Sequence, residues 1–200
     1  MKLKKRTGKM GKKETIWRES WNYLKESSNF VLWAFLIFVF GSVIGFLFPD
    51  YFSVFFDKII KELIDKTSGL NTAELIAYIF QNNLISVFLA IILGAFLGIF
   101  PVASILLNGL ILGYVMSKAV AVEGWFTIWR LAPHGVFELP AIFISVGLGI
   151  KLGLVWFSGK ERGKEFKRRL WKSLKVFLVI VLPLLVIAAI IEGFLIALSG

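Results

Sequence analysis

The stretch "LISVFLAIILGAFLGIFPVASILLNGLILGYVMSKAVAV", residues 84–122, decides the fold class. Apolar side chains fill it almost without interruption, and one membrane span needs only about 20 such residues. Pro101 lies near its middle, where a tight turn or a break in the helix is expected. The sequence therefore predicts two membrane spans in this region, at residues 76–100 and 102–121.

The composition of the whole chain agrees with a membrane location. Of its 200 residues, 58% are hydrophobic and only 18% are charged, and the mean hydropathy is +0.79. A soluble domain of this size could not cover so much apolar surface with polar groups. Further apolar runs predict spans at 30–48, 134–157 and 174–198. We therefore predict an all-α, polytopic transmembrane helix bundle of about five spans.

Two amphipathic segments accompany a membrane domain that is predicted to cover residues 29–200. Residues 1–28 are expected to form a basic cytoplasmic segment with one amphipathic helix, which either lies in the membrane interface or packs on the rest of the protein. The apolar face of that helix carries Ile16, Trp17, Trp21 and Leu24. Residues 51–67 also separate apolar from charged side chains with a helical period, and they predict an external amphipathic helix.

The positive charge is concentrated at two places. The formal net charge is +10, and of the 23 Lys and Arg residues seven lie in residues 1–13 and eight in residues 160–175. Both clusters flank apolar spans, where positive charge sets topology and binds anionic lipid head groups, so nucleic acid is not expected as a partner. We predict a basic cytoplasmic loop at 158–173, in a multi-pass plasma membrane protein with a cytoplasmic N-terminus and an external C-terminus.

Small residues recur four positions apart in the predicted spans, and this spacing lets helix backbones approach closely in lipid. The pattern fits a tight bundle of one chain, and it also fits a tight homo-oligomer. The predicted helix-packing glycines are Gly94, Gly98, Gly109, Gly113, Gly149 and Gly153.

A few polar side chains are predicted to lie inside the membrane. Each charge at a helix centre costs roughly 2.5–3.5 kcal/mol on insertion scales, so such groups usually face the bundle interior. They are His134, Glu138, Lys151, Glu192 and Asn108. Lys151 lies about 20 Å along a helix from Glu138, and we expect it to extend to the cytoplasmic side or to meet a lipid phosphate.

His134 and Glu138 are four residues apart and share one helical face. If Pro133 opens the helix, Pro140 falls inside it and leaves the carbonyl of Val136 without its helical donor, which would add an acceptor to a polar pocket. Glu192 is expected at a similar depth. The groups could satisfy one another and pin the fourth span to its neighbours, or they could serve a function of their own.

Metal chemistry has weak support in the sequence. The chain has no cysteine and one histidine, which would be unusual for zinc. No nucleophile motif or phosphate-binding loop is visible either. We predict no catalytic residue, no bound metal and no cofactor, and hence a protein that is not an enzyme.

The stretch "PHGVFELPAIFISVGLGIKLG", residues 133–153, resembles the signature of the stage II sporulation protein M family of integral membrane proteins. The family pattern is His-Gly-x-x-Glu-Leu-Pro-Ala, followed by small residues and by a basic residue before a final Gly. It falls on His134, Gly135, Glu138, Leu139, Pro140, Ala141, Gly147, Gly149, Lys151 and Gly153.

The resemblance implies a membrane component of a protein complex. The namesake of the family acts with peptidoglycan-degrading partners in septal thinning, and it holds partners at the membrane without being the hydrolase. A non-enzymatic scaffold that recruits partner proteins is therefore one hypothesis. The other is a transporter or channel subunit that uses the intramembrane His and Glu residues for cation or proton handling. On the first hypothesis, Glu138→Gln disturbs assembly more than any turnover.

Overall fold

The computed structural model of the chain describes residues 15–159 and 161–199, apart from the side chains of residues 128–134 and 193–199. Within these residues the chain is helical and contains no β-strand. In chain order the α-helices are α1 (Ile16–Glu26), α2 (Ser28–Leu47), α3 (Pro49–Thr67), α4 (Thr72–Ile92), α5 (Ile99–Glu123), α6 (Thr127–Gly153), α7 (Arg162–Val176) and α8 (Leu182–Ser199).

Five helices in the described part of the chain are long and apolar enough to cross a membrane, which confirms the predicted helix bundle. Their extents are Ser28–Leu47, Thr72–Ala95, Ile99–Glu123, Gly135–Phe157 and Arg162–Glu192. A capping box opens α4, because the Asn71 and Glu74 side chains each accept a hydrogen bond from the other's backbone N–H.

The bundle has two chemically different ends. Helix α1, the C-terminal end of α6 and α7 meet at one end, where Lys151 contacts Ser27 and Lys175 contacts Glu19. We call this the basic end. Helix α3 lies at the opposite end, where Tyr114 of α5 donates a hydrogen bond to Asp57. We call this the distal end.

The break between the second and third spans lies before Pro101. Helix α4 ends at Ile92, a 3₁₀ turn covers Leu93–Ala95, and α5 starts at Ile99. The chain reverses through left-handed backbone at Leu97 (φ 56°) and Gly98 (φ 72°). The predicted break at Pro101 is wrong, because this proline lies in the first turn of α5, where a backbone N–H would have no acceptor within the helix.

The apolar fourth span, Gly135–Phe157, agrees with the prediction, but the helix that contains it begins earlier in the sequence. Helix α6 starts at Thr127, so only a short turn separates it from α5, and Pro133 lies inside the helix instead of opening it. Residues 122–133, which lie between the predicted third and fourth spans, are therefore mostly helical. The fourth span is the most enclosed of the five. In its most apolar stretch of 18 residues 67% are buried, against 28% or less in the other four spans.

The basic segment at 158–173 is also corrected. Helix α7 begins at Arg162 and continues through a π-helical segment, Phe177–Val181, into α8. The predicted loop therefore shrinks to a short connection after Phe157. Pro183 lies two residues after the end of the π segment, and its missing N–H removes one α-helical bond where the helix widens. The irregular part of this long helix is thus the π segment just before Pro183.

Candidate functional site

A polar cavity of about 70 Å³ lies in the membrane between α4, α5 and α6. Glu138 lines it from α6, and the side chain of Asn83 lines it from α4. Polar residues of α4 and α5 complete the lining: Asn82, Ser86, Ser104 and Asn108. The cavity is large enough for a few water molecules, which buried polar groups in lipid require when their partners are few.

Helix α6 packs against both α4 and α5, and Glu138 lies on α6 where the three helices surround the cavity. The carboxylate of Glu192 on α8 acts electrostatically on Glu138, so two acidic groups share one region as the sequence suggested. Asn108 directs its amide to the backbone carbonyl of Ser104 at 2.9 Å. The side chain of His134 lies outside the described residues, and so does its expected pairing with Glu138.

Two neighbouring motif residues have other surroundings. A Cβ built on Gly135 would meet only the Leu139 side chain of its own helix, at 3.0 Å, so Gly135 is not a close helix contact. Pro140 lines an apolar groove together with residues of α1 and α2. Among the described residues, no three His, Cys, Asp or Glu side chains come together as a metal site.

Lys151 is buried at the basic end instead of extending to lipid, which corrects the expectation from sequence. Its Nζ lies 2.9 Å from the hydroxyl of Ser27 and 4.0 Å from the ring centroid of Tyr23. A carboxylate oxygen of Glu26 is 4.0 Å away. Burial raises the pKa of Tyr23 to about 12. The ring therefore stays neutral at physiological pH and holds the ammonium group by its face.

Arg169 of α7 forms hydrogen bonds at the same end of α6. Its Nη1 donates to the backbone carbonyl of Lys151 at 2.6 Å, near the end of α6, where carbonyl groups lack helical donors. Its Nε donates to Glu165 at 2.7 Å, and Glu165 also accepts from Arg168 at 2.7 and 2.8 Å. The bond from Arg169 to the Lys151 carbonyl joins α7 to α6, and the charge-assisted bonds to Glu165 within α7 hold the arginine in place.

Sequence reasoning missed this junction, although part of it was visible. Glu165 stands three and four residues before Arg168 and Arg169, which is the spacing of ion pairs on one helix. That spacing predicts a helix over the segment interpreted as a loop. The contact between Lys151 and Ser27 joins residues 124 positions apart, and no local sequence pattern predicts it.

Backbone contact between α2 and α5 forms the largest helix interface. A Cβ on Gly109 would overlap the carbonyl of Phe38, and one on Gly113 would overlap the carbonyl of Ser42. On the other side, a Cβ on Gly41 would lie 2.7 Å from the Leu106 carbonyl. Glycine is thus sterically required on both helices, as in close helix pairs elsewhere in lipid.

The turn after α4 packs against α6 in the same manner. A Cβ on Gly94 would overlap Gly149, and one on Gly153 would overlap the backbone of Gly98 and Gly94. A Cβ on Gly149 would also overlap the Ala90 carbonyl. The left-handed turn at Leu97–Gly98 therefore sits directly on the basic-end half of α6.

Fold and composition define this molecule as an α-helical, polytopic membrane protein with an enclosed fourth span. Residues 34–195 match the family described as stage II sporulation protein M, and the chain belongs to that family. It is similar to an uncharacterized protein of Methanocaldococcus jannaschii, with 31% identity over 179 residues that cover 82% of this chain and 79% of the relative. No solved structure matches the chain.

Proposed function

We propose that this protein is a non-enzymatic membrane scaffold that recruits partner proteins at the plasma membrane. The observation that carries the proposal is the surface of α3 at the distal end. Within the described contacts, Phe56 is the buried residue of this helix, and Asp57 accepts the hydrogen bond from Tyr114. Both are in its first half. Near its C-terminal end, residues 61–66 of α3 are all exposed, on the apolar and on the charged face alike.

The uncovered part of α3 has the composition of a docking surface. Leu63 and Ile64 are 49% and 57% exposed. Lys61 and Glu62 are exposed on the charged face of the same helix. An amphipathic helix that presents apolar anchors beside charges is a common way to bind another protein. The membership of a family whose namesake holds partners at the membrane supports the same role.

The charge distribution supports the proposed orientation. Most of the basic cluster at 160–175 belongs to α7 at the basic end, and the cluster at 1–13 precedes α1 in the sequence, so the positive-inside rule puts this end in the cytoplasm. Their charges suit them to anionic lipid head groups. Helix α3 and the C-terminus then lie outside the cell, and the partners that α3 recruits are external or membrane-bound.

Introduced cysteines test this orientation cleanly, because the chain has no cysteine of its own. We expect Lys66→Cys in α3 to react with a membrane-impermeant maleimide in intact cells. Lys164→Cys in α7 should react only after the membrane is permeabilised. The reverse pattern would contradict the orientation.

The scaffold role is tested by purification in mild detergent, with mass spectrometry of the proteins that accompany the chain. We expect defined partners with the wild type and their loss in the double variant Leu63→Ser/Ile64→Ser. Lys61→Ser, on the charged face of the same helix, is the control for surface polarity. If the same partners still copurify with the double variant, α3 is not the surface that binds them. If the wild type always purifies without partners, the protein is not a scaffold.

A second candidate function, cation or proton handling, is favoured by the cavity around Glu138. A carboxylate inside the membrane with a second carboxylate nearby is a common feature of ion and proton pathways. Flux through liposomes that contain the pure protein tests it. Flux that Glu138→Gln abolishes, in a variant of unchanged stability, would establish transport. Loss of partners in that variant, without any flux in the wild type, would support the scaffold.

A further inference from the structure

An apolar groove of about 400 Å³ runs along the outside of the bundle at the basic end. One wall comes from α1 and the start of α2, and the other comes from α6. The residues that define its course are Trp21, Lys25 and Ser28 on the first wall, and Pro140, Phe143 and Ile144 on the second. Its volume is in the range of small-molecule sites, roughly 300–1,000 Å³.

The groove extends over the thickness of one lipid leaflet. Lys151 contacts Ser27 and so marks the level of the junction between α1 and α2. Pro140 lies 11 residues before Lys151 in the sequence, about 16 Å along the helix axis. The hydrocarbon core of a bilayer is about 30 Å thick, so one leaflet occupies about 15 Å. The groove therefore has the length of an acyl chain that enters from the basic end.

The mouth of the groove has the chemistry of a lipid head-group site. Trp21 stands there, 46% exposed, and tryptophan is enriched at this level of membranes. The Nζ of Lys25 lies 5.9 Å from the centre of the Trp21 ring. The acidic residues of α1 are engaged elsewhere: Glu19 pairs with Lys175 at 2.7 Å, and Glu26 faces Lys151 at 4.0 Å. Lys25 thus offers a positive charge at the mouth.

We propose that this groove binds one anionic phospholipid, with an acyl chain between α2 and α6 and the phosphate at Lys25. The apolar walls favour an acyl chain, and the lysine at the mouth favours a negatively charged lipid head group. The inference does not depend on the scaffold role, because it needs only the groove, its charge and a membrane around it. The bound lipid would fill the space between α1 and α6 and support their contact.

The test is native mass spectrometry of the full-length, delipidated protein titrated with phosphatidylglycerol or with phosphatidylcholine. We expect one retained phosphatidylglycerol per chain, bound about fivefold more tightly than phosphatidylcholine, since one lysine near the surface contributes roughly that factor. Lys25→Gln should remove this preference. Lys167→Gln, an exposed lysine of α7 at the same end, should keep it.

A second pair of variants tests the groove itself. Ser28→Trp places a large side chain in the groove and should abolish lipid retention. Asn29→Trp, at the next and also exposed position, is not a lining residue and should leave retention unchanged. Equal binding of both lipids, or retention that neither Lys25→Gln nor Ser28→Trp alters, would overturn the proposal. A dimer mass that Ser28→Trp removes would assign the groove to a second copy of this chain.

Discussion

Helices α1 and α3 are both amphipathic and lie at opposite ends of the same bundle, yet the bundle holds them in different ways. In α1, Tyr23 is fully buried and meets the Lys151 ammonium group from α6. The same helix is joined to α7 by the Lys175–Glu19 ion pair at 2.7 Å. Helix α1 is therefore fixed on two sides by contacts that are distant in sequence.

Helix α3 has one apolar anchor and one polar anchor. Phe56 is buried and its ring packs against Tyr114 at a centroid distance of 5.5 Å. The hydroxyl of the same tyrosine bonds Asp57. Both of these contacts reach the same residue of α5, whereas the contacts of α1 reach both α6 and α7. This difference explains why α3, and not α1, is the surface that we propose for partner binding.

The comparison also shows that an apolar stripe does not tell which face of a helix is buried in a membrane protein. The apolar residues Trp17 and Trp21 of α1 are 59% and 46% exposed, whereas Ser20 and Tyr23 point inward. Next to lipid, an apolar face can be satisfied by the membrane interface, so the bundle is free to bury the other face. Helix α1 thus packs on the rest of the protein and presents its tryptophans outward, and its location in the membrane interface stays a prediction.

The largest expected effect comes from making the same substitution in each helix. Tyr23→Ala in α1 should lower the free energy of unfolding by about 3–5 kcal/mol, the usual loss for a buried aromatic side chain. Tyr51→Ala in α3, at a side chain 86% exposed, should change it by less than about 0.5 kcal/mol. Unfolding of the solubilised protein by heat or denaturant measures both values. Similar values for the two variants would contradict the difference in attachment.

A smaller effect is expected from the ion pair of α1. Glu19→Gln removes the partner of Lys175 in a half-buried pair and should cost about 0.5–1 kcal/mol, with a lower cost at high salt. Glu161→Gln, whose pair with Lys164 is largely exposed, serves as the control and should be close to neutral. Stability curves at low and high salt distinguish the two. A salt-independent loss in Glu19→Gln would show that packing, and not charge, holds α1.

The smallest global effect is expected at the tether of α3. Tyr114→Phe removes the hydrogen bond to Asp57, and since Asp57 is exposed its carboxylate can return to water. We expect a global change below about 1 kcal/mol. Hydrogen exchange should nevertheless become faster in α3 and stay unchanged in α1. Exchange that accelerates throughout the bundle would mean that α3 is part of the cooperative core.

The amino-acid sequence predicted the spans because their signal is local. Runs of apolar residues, the capping box at Asn71 and the amphipathic period of α3 each depend on neighbours along the chain. The error at Pro101 arose because the effect of a proline depends on its position within the helix. A proline predicts a break in general, but in the first turn of a helix it is tolerated, and the left-handed pair Leu97–Gly98 makes the turn instead.

The candidate sites were only partly predictable. The sequence marked Glu138, Asn108 and Glu192 as polar groups inside the membrane. That Asn83 and Asn108 line one cavity with Glu138 follows from the packing of three helices. Lys151 was misjudged because a lysine near a helix end usually reaches water, and only the position of α1 gives it a hydroxyl and an aromatic face.

By itself, the sequence predicted that the chain crosses a membrane, roughly where its five apolar spans lie and which residues are too polar for lipid. These follow from transfer free energies and from backbone bonding that must be satisfied within each span. Only the tertiary structure decided which glycines touch which carbonyls, that α6 is enclosed, and that α1 is fixed while α3 is tethered. Those facts depend on contacts between residues far apart in the chain, and such contacts are set by packing geometry, which no local pattern records.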